Sequence, residues 1–222
     1  MRIRVIVATL TVMAAGLCFI TPRSTDSLSA GAANAPSSQQ RITYEIDSGR
    51  SRFIVRAFAG GLFSIFAHDH TISVKDFSGS AQISGPALEQ ASLQMKVKAD
   101  SLVVIDKVSE KDKKEIESAM RDKVLEASKY PEITFTGARA SASKVSNTEY
   151  QVSIEGDLNL HGVTRRESIA ARVTLDGNEL RARGEFPLKQ TNYKITPVKV
   201  AGGTVRVKDE LRLSFDIIAV RR

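Results

Sequence analysis

The chain has 222 residues and a formal net charge of +7, with a single cysteine, Cys18. This length fits one domain of ordinary size together with a leader. The Lys and Arg residues are scattered among acids, whereas a nucleic-acid-binding protein concentrates them on one face, so nucleic-acid binding is not predicted. One cysteine excludes an intramolecular disulfide.

The amino terminus resembles an export signal. Arg2 and Arg4 precede an uncharged apolar run over residues 5–20, which is the order of charges and apolar residues in a signal peptide. The small residues Ala30-Gly31-Ala32 offer a cleavage site. We therefore predict a cleaved signal peptide over residues 1–32 and a protein that is periplasmic or secreted.

An uncleaved amino-terminal membrane anchor is the alternative, because the cleavage site lies far from the apolar run. That run is short for a membrane span, which takes about 20 residues. Lipidation of Cys18 is disfavoured, since Leu17 stands where a small residue is needed. Residues 33–41 are predicted to be a flexible polar linker and residues 42–222 a single domain, which after cleavage contains no cysteine.

Strands are predicted through most of this domain from the alternation of apolar and polar residues. An interruption near Phe77-Ser78-Gly79 is predicted to be a bulge or bend, because glycine permits one. Asp176-Gly177-Asn178-Glu179 has the composition of a tight turn. The predicted strands cover residues 42–46, 52–59, 71–83, 91–99, 132–142, 149–160, 164–176, 179–187 and 205–220.

One amphipathic helix is predicted over residues 109–125. The segment is rich in helix-forming residues, and Ile116, Met120 and Val124 share one helical face. Ser109, three residues before Asp112, is suited to cap the first turn. Tyr130-Pro131 follows the segment and ends it.

The most informative stretch is residues 150–165, with the sequence Tyr-Gln-Val-Ser-Ile-Glu-Gly-Asp-Leu-Asn-Leu-His-Gly-Val-Thr-Arg. Its apolar residues fall on one face of an extended strand and its polar residues on the other. His161-Gly162 breaks the pattern, and a second alternating run follows. A long hairpin with one apolar face must bury that face, and a sheet curled around its own interior does so.

This stretch is similar to the signature of the YceI-like polyisoprenoid-binding family. Three further features of that family follow the same order along the chain. They are Phe-Ala-His-Asp-His-Thr-Ile at 66–72 leading to Phe77-Ser78-Gly79, Lys-Tyr-Pro-Glu-Ile-Thr-Phe at 129–135, and Val-Lys-Asp-Glu-Leu-Arg-Leu-Ser-Phe at 207–215. The resemblance extends from about Ile42 to Val220, nearly the whole predicted domain.

The resemblance implies a lipocalin-like barrel that holds an isoprenoid chain in its lumen. The strand pattern agrees, since about eight antiparallel strands and one short helix favour a closed barrel without exposed edges. The fold class is therefore predicted as an all-β, antiparallel, lipocalin-like β-barrel with one short helix. A β-sandwich is the alternative architecture.

Inward-facing apolar residues are the candidates for contact with a lipid. Periodicity indicates that they point to the interior, and core filling is the alternative role for each of them. The predicted lining residues are Phe53, Val55, Leu93, Met95, Phe135, Val152, Ile154, Leu158, Val173, Phe186 and Phe215.

The three histidines of the chain, His68, His70 and His161, are the candidates for polar chemistry. His68 and His70 lie two positions apart, so an extended backbone points both rings to one side. A metal-dependent periplasmic enzyme using all three is the alternative function, because imidazoles ligate zinc and copper. The simplest interpretation is structural, with ring N–H groups that tie loops to backbone carbonyls. We predict no metal site, a turn position for His161, and a ligand mouth formed by His68, His70 and Lys194.

Asp209 is unusual because it falls in register with the apolar face of the last strand. A buried carboxylate needs a partner, and an Arg or Lys on a neighbouring strand is the obvious one. No Gly-x-Ser-x-Gly nucleophile motif or Gly-rich phosphate loop is present in the sequence.

The sequence therefore predicts an exported lipocalin-like protein that binds and sequesters or carries an isoprenoid or other amphiphilic lipid, and not an enzyme. No cofactor and no nucleic-acid partner are expected, and contact with a membrane, if it occurs, is expected to be transient. Lysines near Lys194 would neutralise an anionic head group.

Overall fold

The computed structural model describes residues 41–60, 68–84, 88–200 and 205–222. The predicted leader, the linker up to residue 40 and the start of the motif around His68 lie outside the described residues. The described residues form twelve strands: β1 Arg41–Ile46, β2 Arg52–Gly60, β3 His70–Val74, β4 Phe77–Ser84, β5 Ser92–Lys98, β6 Leu102–Val104, β7 Glu132–Lys144, β8 Glu149–Leu160, β9 Val163–Asp176, β10 Glu179–Lys189, β11 Lys199–Val200 and β12 Val205–Arg221.

Eight of these strands close into an antiparallel barrel. Their order around the barrel is β1-β4-β5-β7-β8-β9-β10-β12, and β12 pairs back to β1 through Tyr44–Arg221, Glu45–Val220 and Ile46–Ala219. The same edge of β12 also pairs with β2, and β3 and β6 continue the sheet from there. The prediction of an all-β, eight-stranded closed barrel with one short helix is confirmed.

The β8–β9 hairpin has the predicted two-faced pattern. Val152, Ile154, Gly156, Leu158 and Leu160 are buried, while the residues that alternate with them are half-buried or exposed. His161 and Gly162 form the connection with φ angles of 52° and 71°, the left-handed values that a two-residue hairpin turn of the primed type requires. His161 is therefore a turn residue, as predicted.

The strand predicted over residues 71–83 is interrupted, but the break falls at Lys75-Asp76 and not at Phe77-Ser78-Gly79, which lie inside β4. At the break the backbone bonds to the turn Ala99–Ser101 instead of to a neighbouring strand. Lys75 N–H donates to the Ser101 carbonyl at 3.1 Å, and Asp76 N–H donates to Ser101 Oγ at 3.1 Å. Gly79 serves close packing instead, since a Cβ there would overlap the Gln94 carbonyl oxygen.

The predicted helix is shorter than expected. α1 covers Glu110–Ala119, and the chain continues as a π-helical turn over Met120–Val124. Ser109 is the N-cap, as predicted, and its Oγ accepts from Asp112 N–H at 3.1 Å. Glu117 Oε1 accepts from Val104 N–H at 2.9 Å, so the helix satisfies a donor on the edge strand β6. None of the described helices has the length and apolarity needed to cross a membrane.

The expected cationic partner of Asp209 is also wrong. Asp209 does alternate with the half-buried Val207 and Leu211, and the register between β12 and β2 shifts in this stretch, but the partner of its carboxylate is a threonine and not a cation. Its Oδ1 accepts from Thr191 N–H at 2.8 Å and its Oδ2 from the Thr191 hydroxyl at 2.7 Å. These bonds, the backbone one first, hold the pKa of the Asp209 carboxyl below its usual value. Asp209 thus anchors the 3₁₀ turn Gln190–Tyr193 to the bulge in β12.

Candidate functional site

The barrel encloses an apolar cavity of about 250 Å³. Every strand of the closed circuit contributes to its wall. Among the described residues that line it, Ser92 and Thr134 are the only two with polar side chains. A polar ligand group placed in such a wall would lose its hydration without gaining hydrogen bonds, so the cavity favours an apolar molecule.

All eleven predicted lining residues lie on the cavity wall. They come from β2, β5, β7, β8, β9, β10 and β12, so the two-residue periodicity located the interior on each of these seven strands. Their contact with a ligand stays a prediction. The lining residues of this set are Phe53, Val55, Leu93, Met95, Phe135, Val152, Ile154, Leu158, Val173, Phe186 and Phe215.

The cavity is long and narrow. Both Val152 and Leu160 of β8 line it, and eight residues of strand at about 3.4 Å each span about 27 Å. With a strand tilt of about 40°, this corresponds to about 20 Å along the barrel axis. An apolar cavity of about 150 Å³ already stays dry and takes up benzene. The larger, elongated space here suits a linear apolar chain.

The wall also contains residues that periodicity did not locate. Leu88 lies in the 3₁₀ turn Leu88–Gln90 and is 4% exposed. It packs in a cluster with Tyr44, Ile83 and Val152 at the end of the barrel opposite α1. Leu125 belongs to the segment after α1 and lines the cavity from the other end. Both are single leucines in irregular segments, so no repeating pattern marked them.

At the α1 end, a gap between two strands is filled by a buried tyrosine. β9 and β10 pair only from Glu179–Asp176 to Arg183–Arg172, and the rest of β9 has no partner on that side. Tyr193 is 0% exposed, and its hydroxyl donates to Glu167 Oε1 of β9 at 2.6 Å. Burial, and then the bond to Glu167, raise the pKa of the Tyr193 hydroxyl well above its usual value.

His161 joins this tyrosine to the segment that follows α1. Its Nδ1 lies 3.2 Å from the Tyr193 carbonyl oxygen and its Nε2 lies 2.6 Å from Glu126 Oε2. The ring also packs against Tyr130 in a tilted arrangement, with 4.5 Å between the ring centroids and 57° between the ring planes. The bond to the carbonyl is the kind of contact that the structural interpretation predicted. We call Glu126, His161, Tyr193 and Glu167 the end cluster.

The end cluster coincides with unusual backbone. Glu126, His161 and Lys194 have φ angles of 45°, 52° and 59°, and they are the described residues other than glycine with positive φ. Each such residue costs free energy and persists only where its surroundings fix it. The contacts of the end cluster are what fixes Glu126 and His161.

The predicted mouth residues lie at the same end of the barrel but do not form one group. His68 is exposed, whereas His70 is half-buried with its Nδ1 3.0 Å from Asp106 Oδ2. Asp106 also accepts from Thr71 N–H. Lys194 is exposed and follows the Gln190–Tyr193 turn. Their role at a mouth stays a prediction.

His70 and His161 each have a carboxylate partner of their own, Asp106 and Glu126. Across the described ranges, no three His, Cys, Asp or Glu side chains are grouped so that they could hold a metal ion. Sequence reasoning missed Asp106, Glu126 and Glu167, because each lies tens of residues from the group it contacts and no local pattern connects them.

The chain is similar to known proteins both in sequence and in fold. A family model described as the YceI-like domain matches residues 44–219. None of the curated proteins compared matches the chain.

Several solved structures have the same fold. BcnA from Burkholderia cenocepacia is 18% identical with a TM-score of 0.61, over 79% of this chain and 99% of that one. A polyisoprenoid binding domain from Saccharophagus degradans is 15% identical with a TM-score of 0.60, over 82% and 99%. The YCEI protein of Campylobacter jejuni is 17% identical with a TM-score of 0.50, over 68% and 84%. At these identities the likeness concerns the fold.

Proposed function

This chain belongs to the YceI-like domain family, and we propose that it is an exported protein that binds an isoprenoid or similar amphiphilic lipid in its barrel and sequesters or carries it. The observation that carries the proposal is the apolar cavity along the barrel, with Ser92 and Thr134 as the only polar lining side chains among the residues described.

The free energy for such binding would come from removing apolar surface from water. Burial of apolar surface contributes about 25 cal/mol per Å², and a long hydrocarbon chain has several hundred Å² to bury. A linear chain fits the elongated cavity better than a compact ring system would. One protein of the same fold is described as a polyisoprenoid binding domain, which supports the choice of an isoprenoid.

The polar head of the lipid would remain outside the cavity wall, which offers it almost no hydrogen-bonding groups. We place it at the α1 end, where His68, His70 and Lys194 lie. An exposed ammonium such as that of Lys194 would pair with an anionic head. Binding alone accounts for this arrangement, and no chemical step on the lipid is part of the proposal.

The direct test is extraction of the purified protein with organic solvent, followed by mass spectrometry of the extract. A prenyl or other long-chain lipid in near-stoichiometric amount is the expected result. The variant Ala171→Leu extends a side chain into the cavity and should lower the amount of lipid. Ala170→Leu is the matched control, since Ala170 is the exposed neighbour on the same strand. Equal lipid content in the two variants, or none in the wild type, would reject the proposal.

Export is the second part of the proposal and rests on the sequence of the leader. Arg2, Arg4 and the apolar residues 5–20 should direct secretion, after which the mature protein begins near Ala33 in the soluble periplasmic fraction. Amino-terminal sequencing of the protein from fractionated cells tests this. Recovery of intact Met1 from the membrane pellet would instead identify an uncleaved anchor.

A further inference from the structure

Ion pairs are unevenly distributed over the described surface. At the end of the barrel opposite α1, arginines are paired with carboxylates. Arg50 lies 2.7 Å from Asp47 and 2.8 Å from Glu179. Arg181 and Arg183 both contact Asp216. The cations there are largely neutralised by the fold itself.

A different arrangement occurs where β11, β12 and β2 meet at the α1 end. Lys199 of β11 lies directly opposite Arg206 of β12, and Arg56 of β2 lies directly opposite Arg212 of β12. Lys208 extends over Gly60, since a Cβ on that glycine would be 3.1 Å from Lys208 Cγ. All five of these cations are exposed. We call them the basic surface.

The like charges of the basic surface repel one another and lower the stability of the isolated protein. Like charges directly opposite one another on neighbouring strands destabilise a sheet, and two such pairs occur here. Only Arg212 has an ion pair with a described residue, Glu185 at 3.3 Å. The adjoining segments 61–67 and 201–204 contain no Asp or Glu in their sequence, so they supply no compensating charge.

Three carboxylates close in sequence or register to the basic surface, those of Asp69, Asp209 and Glu210, have other partners or face another cation. Asp69 Oδ1 accepts from Ala59 N–H at 2.9 Å. Asp209 is bonded to Thr191. Glu210 lies opposite Lys189 across the β10–β12 pairing. The hydrogen bonds leave the charges of Asp69 and Asp209 in place, but neither carboxylate forms an ion pair with a described cation. The five cations of the basic surface outnumber these three carboxylates and Glu185, and four of the five have no ion pair with a described residue.

We infer that the basic surface docks the barrel on an anionic lipid bilayer. Each Lys or Arg held near such a bilayer contributes about 1 kcal/mol, so the repulsion among the five cations is offset once anionic head groups lie between them. Docking on this face brings the α1 end, with His68, His70 and Lys194, close to the head groups. The inference deepens the proposed lipid-carrier function and takes its biological meaning from it.

The experiment measures co-sedimentation of the Ser38–Arg222 unit with phosphatidylcholine vesicles, with and without phosphatidylglycerol. This unit includes all described strands, the β1–β12 closure and both apolar clusters, so we expect it to fold without the leader. The test variant is Lys199→Gln, Arg206→Gln, Lys208→Gln. The matched control is Arg41→Gln, Arg139→Gln, Lys144→Gln, which removes the same charge from exposed positions on β1 and β7.

We expect the wild type and the control variant to bind phosphatidylglycerol vesicles and to release them at high salt. The test variant should bind on the order of 100-fold more weakly, the effect of three cations at about 1 kcal/mol each. Equal binding by the two variants, or no preference of the wild type for phosphatidylglycerol, would overturn the inference. So would binding to duplex DNA or single-stranded RNA that exceeds vesicle binding and is lost only in the test variant.

The result is separable from that for the carrier function. Lipid content after organic extraction is measured on the same preparations. Vesicle binding by protein that contains no extractable lipid would support docking through the basic surface and reject the lipid-carrier function. Protein that contains extractable lipid but does not bind anionic vesicles would support the lipid-carrier function and reject docking through the basic surface.

Discussion

Glu126 Oε2 and His161 Nε2 lie 2.6 Å apart although 35 positions separate the two residues in sequence. Both have left-handed backbone, with φ angles of 45° and 52°. The contact fastens the segment after the helix to the turn between the two longest-paired strands of the barrel wall. His161 also reaches the carbonyl of the buried Tyr193, so one ring connects three separate segments of the chain.

Replacement of His161 should therefore destabilise the whole α1 end. His161→Asn is the informative variant, because asparagine tolerates positive φ but is too short to replace both contacts. Loss of a buried hydrogen-bonding partner costs about 1–3 kcal/mol, and we expect a decrease of that size in the free energy of unfolding in urea. Asn159→Ala is the control, since it removes only a surface bond to Thr164 in the same hairpin. A loss no larger than that of the control would contradict a stabilising role for the end cluster.

Tyr193→Phe should lower stability in a pH-dependent manner. The variant lacks the hydroxyl that donates to Glu167 at 2.6 Å, a bond to a charged group that contributes about 1.5–3 kcal/mol. The pKa of Tyr193 is raised in the folded protein by burial and by Glu167, so its contribution is complete below the unfolded value of about 10 and decreases as the pH rises above that. Urea unfolding of both proteins, at neutral pH and above pH 10, should show that the difference between their free energies of unfolding is smaller at the higher pH. A constant difference would count against this explanation.

Asp216→Asn should show the opposite pH dependence. The carboxylate accepts two bonds from Arg181, at 2.7 and 2.6 Å. These bonds, and then Arg183, hold the pKa of Asp216 below its usual value against an opposing effect of burial. The stabilisation is present above the unfolded value of about 3.9 and is lost as the pH falls through the folded pKa.

For this half-buried carboxylate we expect a loss of about 1 kcal/mol in Asp216→Asn at neutral pH, with thermal unfolding curves of variant and wild type converging below about pH 4. The control is Asp157→Asn, because Asp157 is exposed and 3.4 Å from Arg166. Asp157→Asn should change the unfolding temperature much less at any pH. Divergence of Asp216→Asn from the wild type at acidic pH would refute the assignment.

A charge on the cavity wall should impair folding before it impairs binding. Val152 is 8% exposed and lines the cavity, so Val152→Asp places a carboxylate where no cation is near among the lining residues. An uncompensated buried charge costs about 3–5 kcal/mol, and we expect little soluble protein. Gln151→Asp is the matched control on the exposed face of the same strand. Equal yields and equal urea midpoints for the two variants would show that Val152 does not face a closed apolar interior.

Local periodicity was sufficient to predict most of the strands, whereas the barrel was implied by the family resemblance, since the strand pattern alone left a β-sandwich open. The predicted strand at residues 149–160 has the observed bounds of Glu149–Leu160, and Ser109 caps the helix as its spacing from Asp112 indicated. The inward positions of Phe53 and Phe215, on two neighbouring strands, were likewise predicted from alternation alone. These features depend on residues that are close in sequence, so a local sequence pattern is enough to predict them.

The remaining features depend on contacts between distant segments. Nothing near Asp209 indicated that its partner would be Thr191, 18 positions away in sequence. β6 and β11 contain three and two residues, too few for a period to be detected. Tyr193 lies in a polar, irregular stretch, and its complete burial follows from the gap between β9 and β10 that it fills. Such gaps arise from the path of the whole sheet.

The closure of the barrel by β12 has a consequence for the order of folding. One edge of this last strand pairs with β10, and the other edge is shared by β2 and by three residues of β1. Until residues 205–221 are available, β2, β3 and β6 have no strand that links them to the rest of the wall, and β1, which pairs with β4 on one side, has no partner that closes the barrel. A growing chain therefore stays an open sheet, with its apolar face uncovered, until β12 pairs with β10, β2 and β1. The time between synthesis of β1 and arrival of β12 is when this protein most needs a chaperone.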